Sequence, residues 1–134
     1  MSVSKIAWIV GPLAIALSTI ALTNKVEPRR APSQEPDTAA VTPDVIDAGR
    51  RIFSGRGTCY ACHGPHLEGG PVAPILRAHT WKDAKGGDLG AIYYVDTHGV
   101  PGTVMVAHPG GISDADAVRV ASFIWAVSHR GAKP

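Results

Sequence analysis

No part of the 134-residue chain alternates apolar and polar side chains as a half-buried strand would, and no segment repeats. Sheet architectures and repeat arrays are thereby excluded. An excess of one charge is also missing: 13 basic and 11 acidic residues are mixed along the chain for a net charge of +2, without a basic stripe. That leaves no electrostatic footprint for nucleic acid as a partner. Cysteine is nearly absent, with two residues, and so is methionine, whose only copy besides Met1 is Met105. Two cysteines three positions apart build no disulfide framework, and no second pair is present to complete a zinc site. With 45% hydrophobic and 18% charged residues, the chain has room for about one compact domain and an appendage.

The longest apolar run, Ile6 to Leu22, has 17 uncharged residues and sits at the short end of what crosses a bilayer. Pro12 would bend such a helix without forbidding it. Lys5 ahead of the run resembles the start of a secretory signal, but the run is long for one and no clean small-x-small cleavage site follows. The expectation is an uncleaved single transmembrane helix in residues 1–23. Lys25, Arg29 and Arg30 behind it would by charge count place the C-terminal flank in the cytoplasm. From Asn24 to Pro43 four prolines appear among Ser, Gln, Glu, Asp and Ala, with almost no aliphatic periodicity. Residues 24–43 read as an extended linker of up to about 60 Å, with no core of its own. The globular domain is expected over 44–134.

Within that domain Thr42 and Pro43 form an N-cap and first-turn pair. Val45, Ala48, Gly49, Ile52 and Phe53 then fall on one helical face, ended by Ser54-Gly55-Arg56-Gly57. A second helix is expected from Leu89 to Thr97, capped by Asp88 and followed by Gly99. The last helix has Ser113 and Asp116 in capping-box spacing and a broad apolar face of Ala117, Val120, Ala121, Ile124, Trp125 and Val127. Gly and Pro between His63 and Asp88 mark loop. The fold class is all-α.

Chemistry is concentrated in Cys59-Tyr60-Ala61-Cys62-His63. This C-x-x-C-H pattern is the signature of covalent haem attachment: the thiols add across the two vinyl groups, and the adjacent imidazole is placed to bind iron. A thioredoxin-like dithiol would need a βαβ pattern that is missing, and a disulfide over so short a loop would be strained. The motif implies one haem c, with His63 as an axial ligand. A second axial ligand decides between electron transfer and ligand chemistry. Met105, in the loop Gly99-Val100-Pro101-Gly102-Thr103-Val104-Met105, is the first candidate, with His108 and then His98 as rivals. A thioether raises the reduction potential and keeps the iron six-coordinate in both redox states.

From about Thr42 to His129 the sequence resembles the monohaem class I cytochrome c family, especially membrane-anchored bacterial members with a G-[IV]-P-G-T-x-M loop before the final helix. The matching residues are Gly49, Phe53, Cys59, Cys62, His63, Gly64, Pro74, Leu76, Gly99 to Met105, and Ser113 to Trp125. The resemblance implies a globule of three to five helices around one haem, with Gly49 letting the first helix approach the last against Phe123. It further implies that the Pro74 carbonyl accepts the Nδ1 proton of His63, and that Arg77 and Trp81 stand where family members hydrogen-bond haem propionates. Tyr93 and Tyr94 are expected as wall and surface of the haem crevice, and His66, His79 and His129 as solvent-facing. Where the family carries proline after the ligand methionine, this chain has Val106, with Pro109 later.

The resulting expectation is an electron carrier and not an enzyme. It would be held at the cytoplasmic membrane with its haem domain in the periplasm, because family members receive their haem outside the cytoplasm. Its partners would be membrane redox complexes: a quinol-oxidising complex, an oxidase, a photosynthetic reaction centre or a dehydrogenase. From residue 44 onward nine basic and eight acidic residues nearly cancel, so docking is expected through an apolar patch at the haem edge. Two other readings are a haem enzyme or gas sensor with an open sixth position, and a dedicated subunit of a periplasmic dehydrogenase.

Overall fold

In the computed structural model, the described residues are 36–78 and 81–134. The expected transmembrane segment, most of the linker and His79 lie outside them. Four α-helices are present among the described residues: α1 (Pro43–Phe53), α2 (Tyr60–His63), α3 (Leu89–His98) and α4 (Asp114–Arg130). The only β feature in that part of the chain is an isolated bridge between Gly70 and Ala73. No helix there is long and apolar enough to cross a membrane.

Each long helix starts where its cap is. The Thr42 hydroxyl accepts from the Val45 amide with Pro43 in the first turn, and Asp88 accepts from Ala91 at 2.7 Å. Ser113 and Asp116 form a reciprocal capping box at the head of α4. These caps satisfy amides that the helical ladder leaves orphaned. The Asp116 carboxylate also binds Arg56 and Arg119, tying the α1–α2 connection to α4. Burial alone would raise this carboxyl, but hydrogen bonds from Ser113 and Arg56 outweigh it and hold it below the ordinary carboxylate value.

The core lies where α1 and α3 pack on α4. Phe53 and Phe123 meet edge to face, with ring centres 5.6 Å apart, and Ile52, Ile92, Val120 and Ile124 close around them. Gly49 makes the α1–α4 crossing possible, because a Cβ there would strike the Arg119 carbonyl and the Phe123 Cβ. The domain also begins earlier than the expected boundary at residue 44. A single 3-10 turn spans Thr38–Ala40, Val41 is buried in the core, and the Arg130 guanidinium donates to the carbonyls of Val41 and Thr38 at 3.1 and 3.3 Å. One apolar residue with a strong docking partner is enough to order this turn, although it carries no periodicity that a sequence reading can detect.

Candidate functional site

The loops between α1 and α4 enclose a crevice of about 730 Å³, walled mainly by apolar side chains from every long helix and from the loops around residues 72–84 and 100–110. Cys59, Cys62 and His63 stand together in its wall. The α2 turn that carries them follows Thr58, which takes a left-handed conformation at φ 52. The chain thereby reverses sharply from the end of α1 into the motif, and the His63 amide closes a helical turn on the Cys59 carbonyl at 3.0 Å. The His63 ring is held by its Nδ1, which lies 3.0 Å from the Pro74 carbonyl as donor to it. That bond fixes the tautomer and leaves Nε2 free with its lone pair. Burial lowers the His63 pKa while the Pro74 bond opposes it, and the net shift is downward. The ring is therefore neutral and ready to coordinate at neutral pH.

The two thiols are not joined to each other. Burial, with the nearby Asp96 carboxylate, pushes the Cys59 thiol up to about 12. A dithiol redox catalyst requires the opposite shift, toward the thiolate. Nor does any cluster of His, Cys, Asp and Glu suited to a metal ion occur among the described residues. The thioredoxin and zinc readings of the motif both lose their chemistry here.

Of the three candidates for a second axial ligand, only Met105 lines the crevice. The His98 ring stacks on Tyr94 at 4.0 Å and its Nδ1 meets Thr97 and the Tyr94 carbonyl. His108 points its Nε2 at Asp114, 2.7 Å away. The loop bearing Met105 is shaped by hydrogen bonds, with Val106 and not proline after the methionine. The Val100 amide donates to the Met105 carbonyl at 2.9 Å, and the Met105 amide donates to Thr103 Oγ1 at 3.1 Å. Gly99, at φ 70, lets the strand of backbone at 105–107 lie directly against it, where a Cβ would collide. Hydrogen bonds and a glycine contact here replace the restraint of a pyrrolidine ring.

The remaining expected residues divide between the crevice and the surface. Trp81 lines the crevice, but its only donor, Nε1–H, is given to the Ile75 carbonyl at 2.6 Å and is not available to a propionate. Arg77 is exposed and outside the crevice wall. Tyr93 packs beside the core and Tyr94 is exposed, so neither forms the wall. His129 is exposed, as expected, with its ring stacked on Trp125 and its Nδ1 2.8 Å from Ser128 Oγ.

One crevice residue escaped the sequence reading. Asp96, only 5% exposed, faces the crevice from α3, and its Oδ2 has no hydrogen-bond partner. The signal was available, since Leu89, Ile92 and Asp96 occupy successive positions of one helical stripe.

Haem fits this crevice on the character of its wall: a large apolar slot, two unpaired cysteines, an imidazole with a free nitrogen and a thioether. The comparisons agree. A family model described as cytochrome c matches residues 46–128. The fold is similar to cytochrome cL of Methylophaga aminisulfidivorans, with a TM-score of 0.56 and 21% identity over 66% of this chain and 59% of that one. It is also similar to cytochrome c6 of the diatom Phaeodactylum tricornutum, with a TM-score of 0.53 and 25% identity over 64% of this chain and 97% of that one. A third similarity, with a TM-score of 0.53 and 23% identity, is to a chain of the Kuenenia stuttgartiensis reducing HAO-like protein complex, covering 66% of this chain and 47% of that one. The present chain thus spans between about half and three-fifths of the cytochrome cL and HAO-like chains. No curated protein matches. With its family model covering most of the globule and the four described helices arranged in the class I fold, the chain belongs to the cytochrome c family, whose members bind haem c covalently.

Proposed function

We propose that this chain is a membrane-tethered carrier of single electrons, with Cys59 and Cys62 forming the thioether links and His63 Nε2 and Met105 Sδ binding the iron. The observation that carries this reading is the composition of the crevice wall, which contains His63 and Met105 and excludes His98 and His108. Haem supplies the one-electron chemistry. The chain's own part is to fix the His63 ring through Pro74, to present a soft sulfur from a loop braced at both ends, and to exclude water with apolar side chains. A peroxide-cleaving enzyme would need distal acid and base groups. The two histidines best suited to that work are turned away and engaged elsewhere.

Val72, Ile75, Val104 and Val106 are each more than half exposed, and all four belong to the crevice. They make an apolar rim suited to brief contact with redox partners, among them a quinol-oxidising complex, an oxidase, a reaction centre or a dehydrogenase. The ligand assignment is tested by Met105→Ala. The ferric wild-type protein is expected to show a sulfur-to-iron charge-transfer band that vanishes in the variant, and the ferrous variant is expected to bind carbon monoxide that the wild type excludes. An unchanged spectrum would remove Met105 from the iron.

The single-pass anchor at Ile6–Leu22 and the periplasmic placement of the haem domain complete the proposal. They rest on the apolar run and on where covalent haem attachment occurs in the family. A tether would raise the local concentration of the carrier near membrane partners. Deletion of residues 1–35, with a cleavable export signal put in their place, is expected to move the haem protein from the membrane to the soluble periplasmic fraction with its visible spectrum unaltered. Retention in the membrane after deletion would refute the anchor.

A further inference from the structure

The crevice wall is apolar except at a few positions, and Asp96 is the one carboxyl buried among them. It stands on the inward stripe of α3 after Leu89 and Ile92, where an aliphatic side chain would satisfy packing better. Its backbone carbonyl accepts from the His108 amide at 2.8 Å, which anchors the main chain, while the carboxyl Oδ2 has no partner. A buried unpaired carboxylate is costly, and its cheapest relief is a proton. No hydrogen bond joins it to His63 or Met105.

We infer that Asp96 is a proton-binding site coupled to the haem, so that the chain takes up a proton at this carboxyl when it takes up an electron. The inference rests on the placement of haem in this crevice. The step balances simply: the redox partner supplies one electron, which takes the iron from ferric to ferrous, and solvent supplies one proton, which forms an O–H bond on Asp96. The proton leaves a hydronium ion or a buffer acid as the bond that held it breaks, no other bond of the chain forms or breaks, and oxidation reverses both transfers.

The sign follows from charge. Reduction removes one positive charge from the haem, the carboxylate loses a stabilising neighbour, and its proton affinity rises. The pKa in the ferrous protein therefore lies above that in the ferric protein. Burial already pushes the Asp96 carboxyl up to about 8 in the chain alone, which puts the coupling near physiological pH. The other titratable groups of the wall do not take over this role. Cys59 and Cys62 are consumed by the thioether links, and His63 is committed to Pro74 and the iron. From the 81–84 segment, Lys82 and Asp83 are solvent-exposed. The wall residues from α1 and α4, Phe53 and Ile124, carry no charge, and the His108 ring is turned to Asp114.

The test is the midpoint potential of the holoprotein from pH 5 to 10, in wild type and Asp96→Asn. The wild type is expected to show a potential that falls with rising pH between the two pKa values. The reduction equilibrium constant should change by up to tenfold per pH unit, equivalent to 59 mV for one electron. The curve should be flat below and above that window. In the Asn variant the slope should disappear around pH 8. A wild-type curve flat throughout, or a slope kept by the variant and so carried by the propionates, would overturn the inference. If the variant does not fold, the reduced-minus-oxidised infrared spectrum of wild type labelled with ¹³C-aspartate decides. A protonated carboxyl band gained on reduction supports the coupling, and its absence refutes it. A reversible one-electron wave with no pH dependence would refute only Asp96, whereas loss of any haem-based wave would refute the crevice assignment itself.

Discussion

Replacing both Cys59 and Cys62 with serine is expected to yield a chain that retains no haem after extraction with acidified organic solvent and that has lost most of its cooperative helical structure. The first half follows from chemistry, since a serine hydroxyl does not replace the thiol in the thioether links. The second follows from the crevice. Its volume is about 730 Å³, and it touches α1, α3, α4 and both long loops, with Phe53, Ala84, Ile92 and Ile124 of the core in its wall. Cavity creation costs about 24 cal/mol per Å³ in a well-packed core. Because the crevice opens to solvent, only part of this volume counts. Even one third of it corresponds to about 6 kcal/mol, comparable with the whole stability of a small domain. Far-ultraviolet circular dichroism and a thermal melt of the double variant check the result. A sharp transition with wild-type helicity would show that the helices hold without the haem. Single serine variants should retain haem by one link and melt between the two extremes.

The second large effect is expected from Gly49→Ala. On helix propensity alone this exchange should stabilise α1 by about 1 kcal/mol. The α1–α4 crossing reverses the sign. The added methyl would overlap the Arg119 carbonyl, which belongs to a helical backbone and has no rotamer to escape into. Overpacking of this kind costs about 1–3 kcal/mol, and a main-chain obstacle places this case at the upper end. Net destabilisation of about 2 kcal/mol should lower the melting temperature by about 8–16 °C in a domain of this size. Guanidinium unfolding of the holoprotein measures it, and a variant as stable as the parent would refute the close approach of the helices.

These two cases show what the amino-acid pattern carries and what it hides. Thr42-Pro43, Asp88 and Ser113 announce helix starts because capping is local chemistry, and all three are found as expected. The haem motif is legible for the same reason, being five consecutive residues. Gly49 is legible only through resemblance, since a glycine within a helix says nothing by itself about what lies across from it. Other features depend on contacts distant in sequence. Trp81 gives its single donor to Ile75, which no spacing rule foretells, and Val41 becomes core through a partner 89 positions away. The left-handed Thr58, Leu67 and His108 are equally invisible, because ordinary residues adopt such conformations only under tertiary constraint. Asp96 is a different kind of omission: its position on the apolar stripe could be read, but its charge hid it among solvated carboxylates.

The clamp of Arg130 on the carbonyls of Thr38 and Val41 has a mechanical meaning. Any pull arriving along the chain from its N-terminal side reaches the globule at this point, where a guanidinium fork and a buried valine bind it to the far end of α4. The load passes into the longest of the described helices and its packed partner α1. The loop that carries Met105 and the turn that carries His63 are outside that line of force. A leash attached here can be drawn taut without straining either side of the haem.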